Sequence, residues 1–258
     1  MVRTALALVL VAATSFVKDD DPRRVGADEV TTTSKGRTTR YSARTVEQWK
    51  VWVDERLLGE ASGPEKELGD AALKLLGVKL YDLTRAVREP ALARLQAVPL
   101  WLSLEDPYQP CACYHESPAW LKENGFDPQK AEGVEICNAK NFLAWTLEQP
   151  WMLLHELAHA FEERELAADD PRRGELARLF EAAKGSGRYD LVLHWDGATT
   201  RHYAVTDAKE YFAEGSEAWL GVNDFYPFVD SELKQFDPDL AAFLKKIWGE
   251  RVTSSRPK

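Results

Sequence analysis

The sequence predicts an α+β protein with one large folded domain. Alternating apolar residues, which indicate strands, occur early in the chain, and longer segments with helical periodicity dominate later. The two kinds of segment do not alternate regularly, as they would in a parallel α/β fold. The 258 residues are 45% hydrophobic and 29% charged, a balance typical of a globular protein with a substantial core.

The start of the chain differs in composition from the rest. Residues 1–17 contain one charge, Arg3, followed by an apolar run and then small residues. This pattern predicts a signal peptide, too short to span a bilayer, and therefore a secreted or periplasmic protein with no stable membrane insertion after cleavage. The alternative is an apolar start to a cytosolic protein. Residues 18–40 are polar and predict a flexible linker, so the domain would occupy residues 41–258.

The first half of this domain mixes short strands and helices. Alternating aromatic and aliphatic residues predict strands at 49–53 and 98–104, and a leucine stripe predicts a helix over 65–88. The segment 108–116, which contains proline and two cysteines, is expected to be a loop. The sequence then predicts a short helix at 118–124 and a short strand at 134–137. This strand is expected at an edge of the sheet.

The second half is mainly helical. Pro150 precedes a predicted helix over 151–164, and a second helix is expected over 172–184. An Asp196-Gly197 turn predicts a hairpin of strands 191–195 and 201–205. Asp207 is a suitable N-cap for a helix that ends before Gly221, and another helix should follow Pro238.

Charge and cysteine content exclude several classes of protein. A formal net charge of −9 argues against a nucleic-acid-binding protein. The three cysteines have no CxxC spacing and are too few for a disulfide scaffold, although Cys111 or Cys113 is expected to bridge to Cys137 in an oxidising compartment. His115, in the predicted loop, is expected at the surface.

The most informative segment is an HExxH motif in the 151–164 helix. His155 and His159 are one turn apart, so both imidazoles project from one face and can bind one ion. Zinc suits imidazole ligands, and Glu156 is placed to accept a proton from a metal-bound water. The alternative is a helix whose histidines only form hydrogen bonds.

A third ligand must come from another element, because the extended HExxHxxGxxH pattern is lacking. Glu210, early in the helix after Asp207, is the best candidate ligand. Glu214, one turn further on, is predicted to accept the second ring N–H of a zinc-bound histidine. The alternatives are a capping glutamate at 210 and a solvated glutamate at 214.

The sequence HELAHA with a downstream EYFAE resembles the Glu-type zinc metallopeptidases (gluzincins), and most closely the catalytic domain of anthrax toxin lethal factor. That group has a tyrosine seven residues before the ligand glutamate, and Tyr203 occupies this position relative to Glu210. The resemblance implies a zincin-like fold, with His155, His159 and Glu210 as zinc ligands. It also implies Glu156 as the general base and Tyr203 as a phenolic donor to the tetrahedral intermediate.

These observations predict a zinc-dependent peptidase that acts, as a monomer, on a peptide or protein substrate. Two alternatives remain open: a metal-dependent hydrolase of a non-protein amide, and a catalytically idle metal-binding or interaction domain. The presence of both Glu156 and Tyr203 argues against an idle domain.

Overall fold

The computed structural model describes residues 29–59 and 63–250. The predicted signal peptide and the first part of the predicted linker lie outside the described residues. The strands are β1 (Glu29–Ser34), β2 (Arg37–Val46), β3 (Trp49–Asp54), β4 (Leu100–Leu102), β5 (Ala112–Tyr114), β6 (Val134–Ile136), β7 (Val192–Leu193) and β8 (Thr199–Thr200). The α-helices are α1 (Pro64–Ala86), α2 (Ala91–Gln96), α3 (Pro118–Glu123), α4 (Ala139–Trp145), α5 (Met152–Glu165), α6 (Pro171–Ser186), α7 (Ala208–Leu220), α8 (Asp230–Phe236) and α9 (Pro238–Trp248).

The predicted α+β class is confirmed. Six strands form one mixed sheet in the order β1-β2-β3-β4-β6-β5, and β7 and β8 form a separate two-stranded sheet. Strand β4 runs parallel to both of its neighbours, whereas the other pairs in the large sheet are antiparallel. No helix among the described residues is both long enough and apolar enough to cross a membrane.

The predicted linker is corrected by the structure, because residues 29–40 form β1 and the first part of β2. The threonines in this segment are β-branched and suit an edge hairpin, which does not require large apolar side chains. Lys35 and Gly36 both have positive φ, 50° and 77°, as a tight two-residue hairpin turn requires. The hairpin is anchored to the domain, since the Thr33 N–H donates to Asp127 Oδ2 at 2.7 Å.

Three further sequence expectations about strands are also corrected. The strand near 134–137 is not an edge, because β5 pairs with its outer side. Strand β5 lies in the segment expected to be a loop; its three residues are too few for an alternating pattern, and their pairing with β6 stabilises them. The hairpin strands β7 and β8 are shorter than expected, and residues 203–205 form a 3₁₀ turn in which His202 Nδ1 accepts the Ala204 N–H at 3.1 Å.

The core lies between the sheet and the helices. The leucine stripe predicted on α1 is buried at Leu76, Leu80 and Leu83, which pack in the same cluster as the apolar residues of β3 and β4. On the other side of the molecule α7 is buried along most of its length, between α5 and α9. This arrangement places the HExxH helix α5 against both α7 and strand β5.

Helix α1 approaches the preceding segment closely at Gly69, where an added Cβ would lie 2.1 Å from the backbone oxygen of Leu57. We expect Gly69→Ala to lower the free energy of unfolding by about 1–3 kcal/mol, because a backbone atom cannot move aside as a side chain can. Gly77→Ala, on the same helix, is the control. Its Cβ would meet only Val46 Cγ1 at 3.8 Å, and alanine should add up to about 1 kcal/mol through helix propensity. Urea unfolding curves measure both; equal stability of the two variants would contradict this packing.

Candidate metal centre

Helix α5 presents the two motif histidines on one face. Leu153, Leu154 and Leu157 are buried on its opposite side, so the helix is held with His155 and His159 towards an open cleft. The two imidazole rings are 4.8 Å apart between centroids. The predicted spacing of one turn therefore brings both side chains to one place.

Helix α7 supplies Glu210 from its first turn. Asp207 caps the helix as predicted, since its Oδ1 accepts the N–H groups of Lys209 at 2.8 Å and Glu210 at 3.0 Å. Glu210 Oε2 lies 3.0 Å from His155 Nε2 and 3.5 Å from His159 Nε2. The structure thus brings together the three side chains that the sequence selected as metal ligands.

The separation of these atoms suits a zinc ion. Ligand atoms about 2.0–2.1 Å from a tetrahedrally coordinated Zn²⁺ lie about 3.3–3.5 Å from one another. One ligand atom from each of His155, His159 and Glu210 falls within a mutual distance of 4.8 Å. Three protein ligands of this kind leave a fourth coordination position for water, as in catalytic rather than structural zinc sites.

The carboxylate that holds the second nitrogen of His155 is Glu217, which the sequence reasoning missed. Glu217 Oε1 lies 2.8 Å from His155 Nδ1, whereas Glu214 Oε1 is 3.7 Å away. This corrects the role predicted for Glu214, whose Oε2 instead accepts a hydrogen bond from Asn223 Nδ2 at 2.9 Å. The spacing along the helix could have identified Glu217. Residues seven apart on a helix share a face, and Glu217 lies seven positions after the proposed ligand Glu210.

The centre contains more buried acid than base. Burial raises the pKa of Glu214, and the nearby Glu217 charge raises it further; burial likewise raises the pKa of Glu217. Burial alone would lower the pKa of His155, but hydrogen bonds to Glu210 and Glu217 raise it well above its usual value. Glu217 Oε2 is buried without a hydrogen-bond partner. A cation bound here would compensate the excess of carboxylates, so the charges as well as the distances fit a divalent metal.

Glu156 is held by β5, one of the two edge strands of the large sheet. Its Oε2 accepts the backbone N–H of Tyr114, in β5, at 2.8 Å. Burial raises the pKa of Glu156, while the two histidines and the Tyr114 N–H oppose this effect. A backbone donor of this kind cannot be identified from the sequence, because every residue except proline has one.

Tyr203 lies on the 3₁₀ turn before α7 and lines the same cleft as the histidines and Glu210. The cleft has a volume of about 880 Å³, and Tyr203 is 48% exposed. Burial and the Glu210 charge raise the pKa of Tyr203, so the phenol keeps its proton at neutral pH. It is therefore available as a hydrogen-bond donor.

A buried charge cluster supports the sheet next to the centre, and it includes His115, which was expected at the surface. His115 is only 6% exposed, and its Nε2 lies 2.9 Å from Glu135 Oε2. Lys130 Nζ donates to Glu135 Oε1 at 2.5 Å. Burial alone would raise the pKa of Glu135, but His115 and Lys130 together lower it to about 2.

Comparisons of this chain with protein-family models, with curated proteins and with solved structures find no match.

We expect Glu135→Gln to lower the free energy of unfolding at pH 7 by about 3–5 kcal/mol, because it leaves Lys130 buried without its counter-charge. Since the folded-state pKa is about 2, below the ordinary value of 4.5, this stabilisation is present above pH 4.5 and is lost towards pH 2. The difference from the wild type should therefore shrink over that window.

Denaturant unfolding at several pH values measures this difference, with the exposed Glu123→Gln as the control. A difference that stays constant down to pH 2 would contradict the assigned role of Glu135.

Proposed function

We propose that this protein is a zincin-type (gluzincin) metallopeptidase that hydrolyses peptide bonds with a zinc-activated water. The observation that carries the proposal is the convergence of His155 Nε2, His159 Nε2 and Glu210 Oε2 on one point. Their spacing suits tetrahedral zinc with one position open for water. Glu156 follows the first histidine directly in the chain and lines the same cleft.

In this proposal each residue has a defined task. His155, His159 and Glu210 would hold the ion, and Glu217 would keep the proton of His155 on Nδ1, so that Nε2 is free to act as a ligand. When bound, zinc supplies a water of lowered pKa and polarises the scissile carbonyl. The protein must then move one proton and stabilise one developing negative charge.

Glu156 is placed to move the proton. Its hydrogen bond from the Tyr114 N–H orients the side chain in the cleft that the proposed ligands line. The same carboxylate, once protonated, can deliver that proton to the leaving amine. Tyr203 would donate its hydroxyl proton in a hydrogen bond to the oxyanion that develops on the substrate.

The shape of the cleft favours a peptide over a small amide. Strand β5 is one of the two edge strands of the large sheet, and it lines the cleft at Ala112 and Tyr114. The Cys111 carbonyl accepts the Cys137 N–H, and the His115 N–H donates to the Gly133 carbonyl, so the backbone groups of both residues face β6. By the alternation of an antiparallel ladder, the backbone groups of Ala112 and Tyr114 therefore face away from β6. The Tyr114 N–H is taken by Glu156, so an extended substrate chain would pair with this edge through Ala112 and the Tyr114 carbonyl.

The central experiment replaces the proposed base. Glu156→Gln should bind zinc with unchanged stoichiometry and lose about 10²–10⁴-fold in the rate of peptide cleavage, because general base catalysis contributes about that much. Glu163→Gln, an exposed change on the same helix, should retain both properties. Metal analysis and a peptide-library cleavage assay, with and without a chelator, measure the two properties.

Each contrary result bears on a different part of the proposal. Wild-type protein that binds no stoichiometric zinc would overturn the metal site, and full activity of Glu156→Gln would overturn the role of the base. Chelator-sensitive hydrolysis of small amides without cleavage of any peptide would leave the metal chemistry and reject the substrate class.

The hydrogen-bonding partner of His155 gives an independent prediction. Glu217→Gln should weaken zinc binding by about 10–100-fold, the usual effect of losing the carboxylate that supports a ligand histidine. Glu214→Gln should leave the affinity within the same order of magnitude, because Glu214 lies 3.7 Å from Nδ1 and is held by Asn223. Competition with a chromophoric chelator measures both variants, and a larger effect at Glu214 would reject this assignment.

A further inference from the structure

Two cysteines lie in contact next to the candidate metal centre, one on strand β5 and one just after strand β6. Cys113 is in the middle of β5, and Cys137 directly follows β6. Their Sγ atoms are 3.6 Å apart, although both thiols are free. The third cysteine, Cys111, is exposed.

The contact is not the one that strand pairing alone would select. Cys113 lies opposite Glu135 in the β5–β6 register, and the Cys137 N–H donates to the carbonyl of Cys111 at 3.4 Å. Pairing alone therefore places Cys137 across from Cys111. The side chains nevertheless bring the sulfur of Cys137 diagonally to Cys113, which leaves Cys111 outside the pair.

The two sulfurs differ in their surroundings. A hydrogen bond from Cys137, together with His115, outweighs burial and lowers the pKa of Cys113 to about 7. His115 Nε2 lies 3.7 Å from Cys113 Sγ. The same contact and burial raise the pKa of Cys137 well above its ordinary value. The pair thus combines one thiol that ionises readily with one that stays protonated beside it.

Cys113 is also the more accessible of the two. It is half-buried, whereas Cys137 is completely buried. Cys113 lines the main cleft and also a second cavity of about 370 Å³, which His115 and Trp120 line as well. A small reagent can therefore approach Cys113 from solvent, whereas Cys137 exposes no surface to it.

We propose that Cys113 and Cys137 form a reversible dithiol–disulfide site, in which Cys113 reacts with low-molecular-weight disulfides and Cys137 completes the bridge. To form the bond, the sulfurs must approach from 3.6 Å to about 2.05 Å, the S–S length of a disulfide. The site does not depend on zinc or on peptidase activity, so it stands or falls separately from the proposed function.

The reaction balances with a disulfide R–S–S–R as the oxidant. The Cys113 thiolate attacks one sulfur, so that the R–S–S–R bond breaks, a Cys113–S–S–R bond forms and R–S⁻ leaves. Cys137 then loses its proton and attacks the Cys113 sulfur, which forms the Cys113–Cys137 bond and expels the second R–S⁻. The two thiol protons of the protein end on two R–SH molecules. The reagent is thereby reduced by two electrons, and the protein dithiol is oxidised.

The test uses the full chain equilibrated with mixtures of reduced and oxidised glutathione. Remaining thiols are alkylated, and the protein is analysed by intact mass and by peptide mapping. We expect an oxidised form that has lost two hydrogen atoms and has one alkylated cysteine, Cys111, with the reduced form restored by excess reduced glutathione. Because only Ala112 separates Cys111 from Cys113, fragmentation of the cross-linked peptide assigns the bridge.

Single variants sharpen the assignment. Cys111→Ser should still form the bridge, whereas Cys137→Ser should accumulate a glutathione adduct on Cys113. A bridge between Cys111 and Cys137 in the wild type, or fully alkylated Cys113 and Cys137 under oxidising mixtures, would overturn the proposal. Both contrary outcomes are measured on the wild-type chain, so they do not depend on how well a variant folds.

Discussion

The candidate site depends on the packing of α5 against α7. The two helices are separate in sequence, and neither carries a complete set of ligands. Their contact brings Glu210 Oε2 to 3.0 Å from His155 Nε2 and Glu217 Oε1 to 2.8 Å from His155 Nδ1. Helix α7 is fixed in this position because it is buried along most of its length, with Phe212 stacked on Trp248 of α9. The carboxylates therefore sit on one of the most enclosed elements of the described protein.

This packing carries an electrostatic cost. Glu214 and Glu217 are each only 3–4% exposed, and burial of a carboxylate without compensation is strongly unfavourable. The raised pKa values of both groups express that cost, and His155 offsets part of it. A fold optimised for stability alone would not place these acids together. The arrangement is consistent with a site in which a bound cation completes the charge balance.

Strand β5 contacts both the proposed base, Glu156, and the polar cluster around Glu135. Alternate residues of β5 direct their backbone groups towards and away from β6, and Cys113 and His115, two positions apart, share one face, so this short strand serves two environments. Tyr114 donates its N–H to Glu156, while Cys113 and the neighbouring His115 lie with Glu135 in the polar cluster at β6. The buried Lys130–Glu135 pair supports this edge from within the sheet. The proposed base and the proposed dithiol therefore share one structural support, although their chemistries are independent.

The sequence by itself determined the features that depend on neighbours along the chain. The one-turn spacing of His155 and His159, the Asp207 cap and the leucine stripe of α1 are local, because a helix repeats every 3.6 residues wherever it lies. Tertiary structure decided which acid supports His155, which strand forms the sheet edge and that His115 is buried. It also placed residues 29–40, which were expected to form a linker, in a β-hairpin. These outcomes depend on contacts between segments distant in sequence, whose geometry follows from packing rather than from any local pattern of residues.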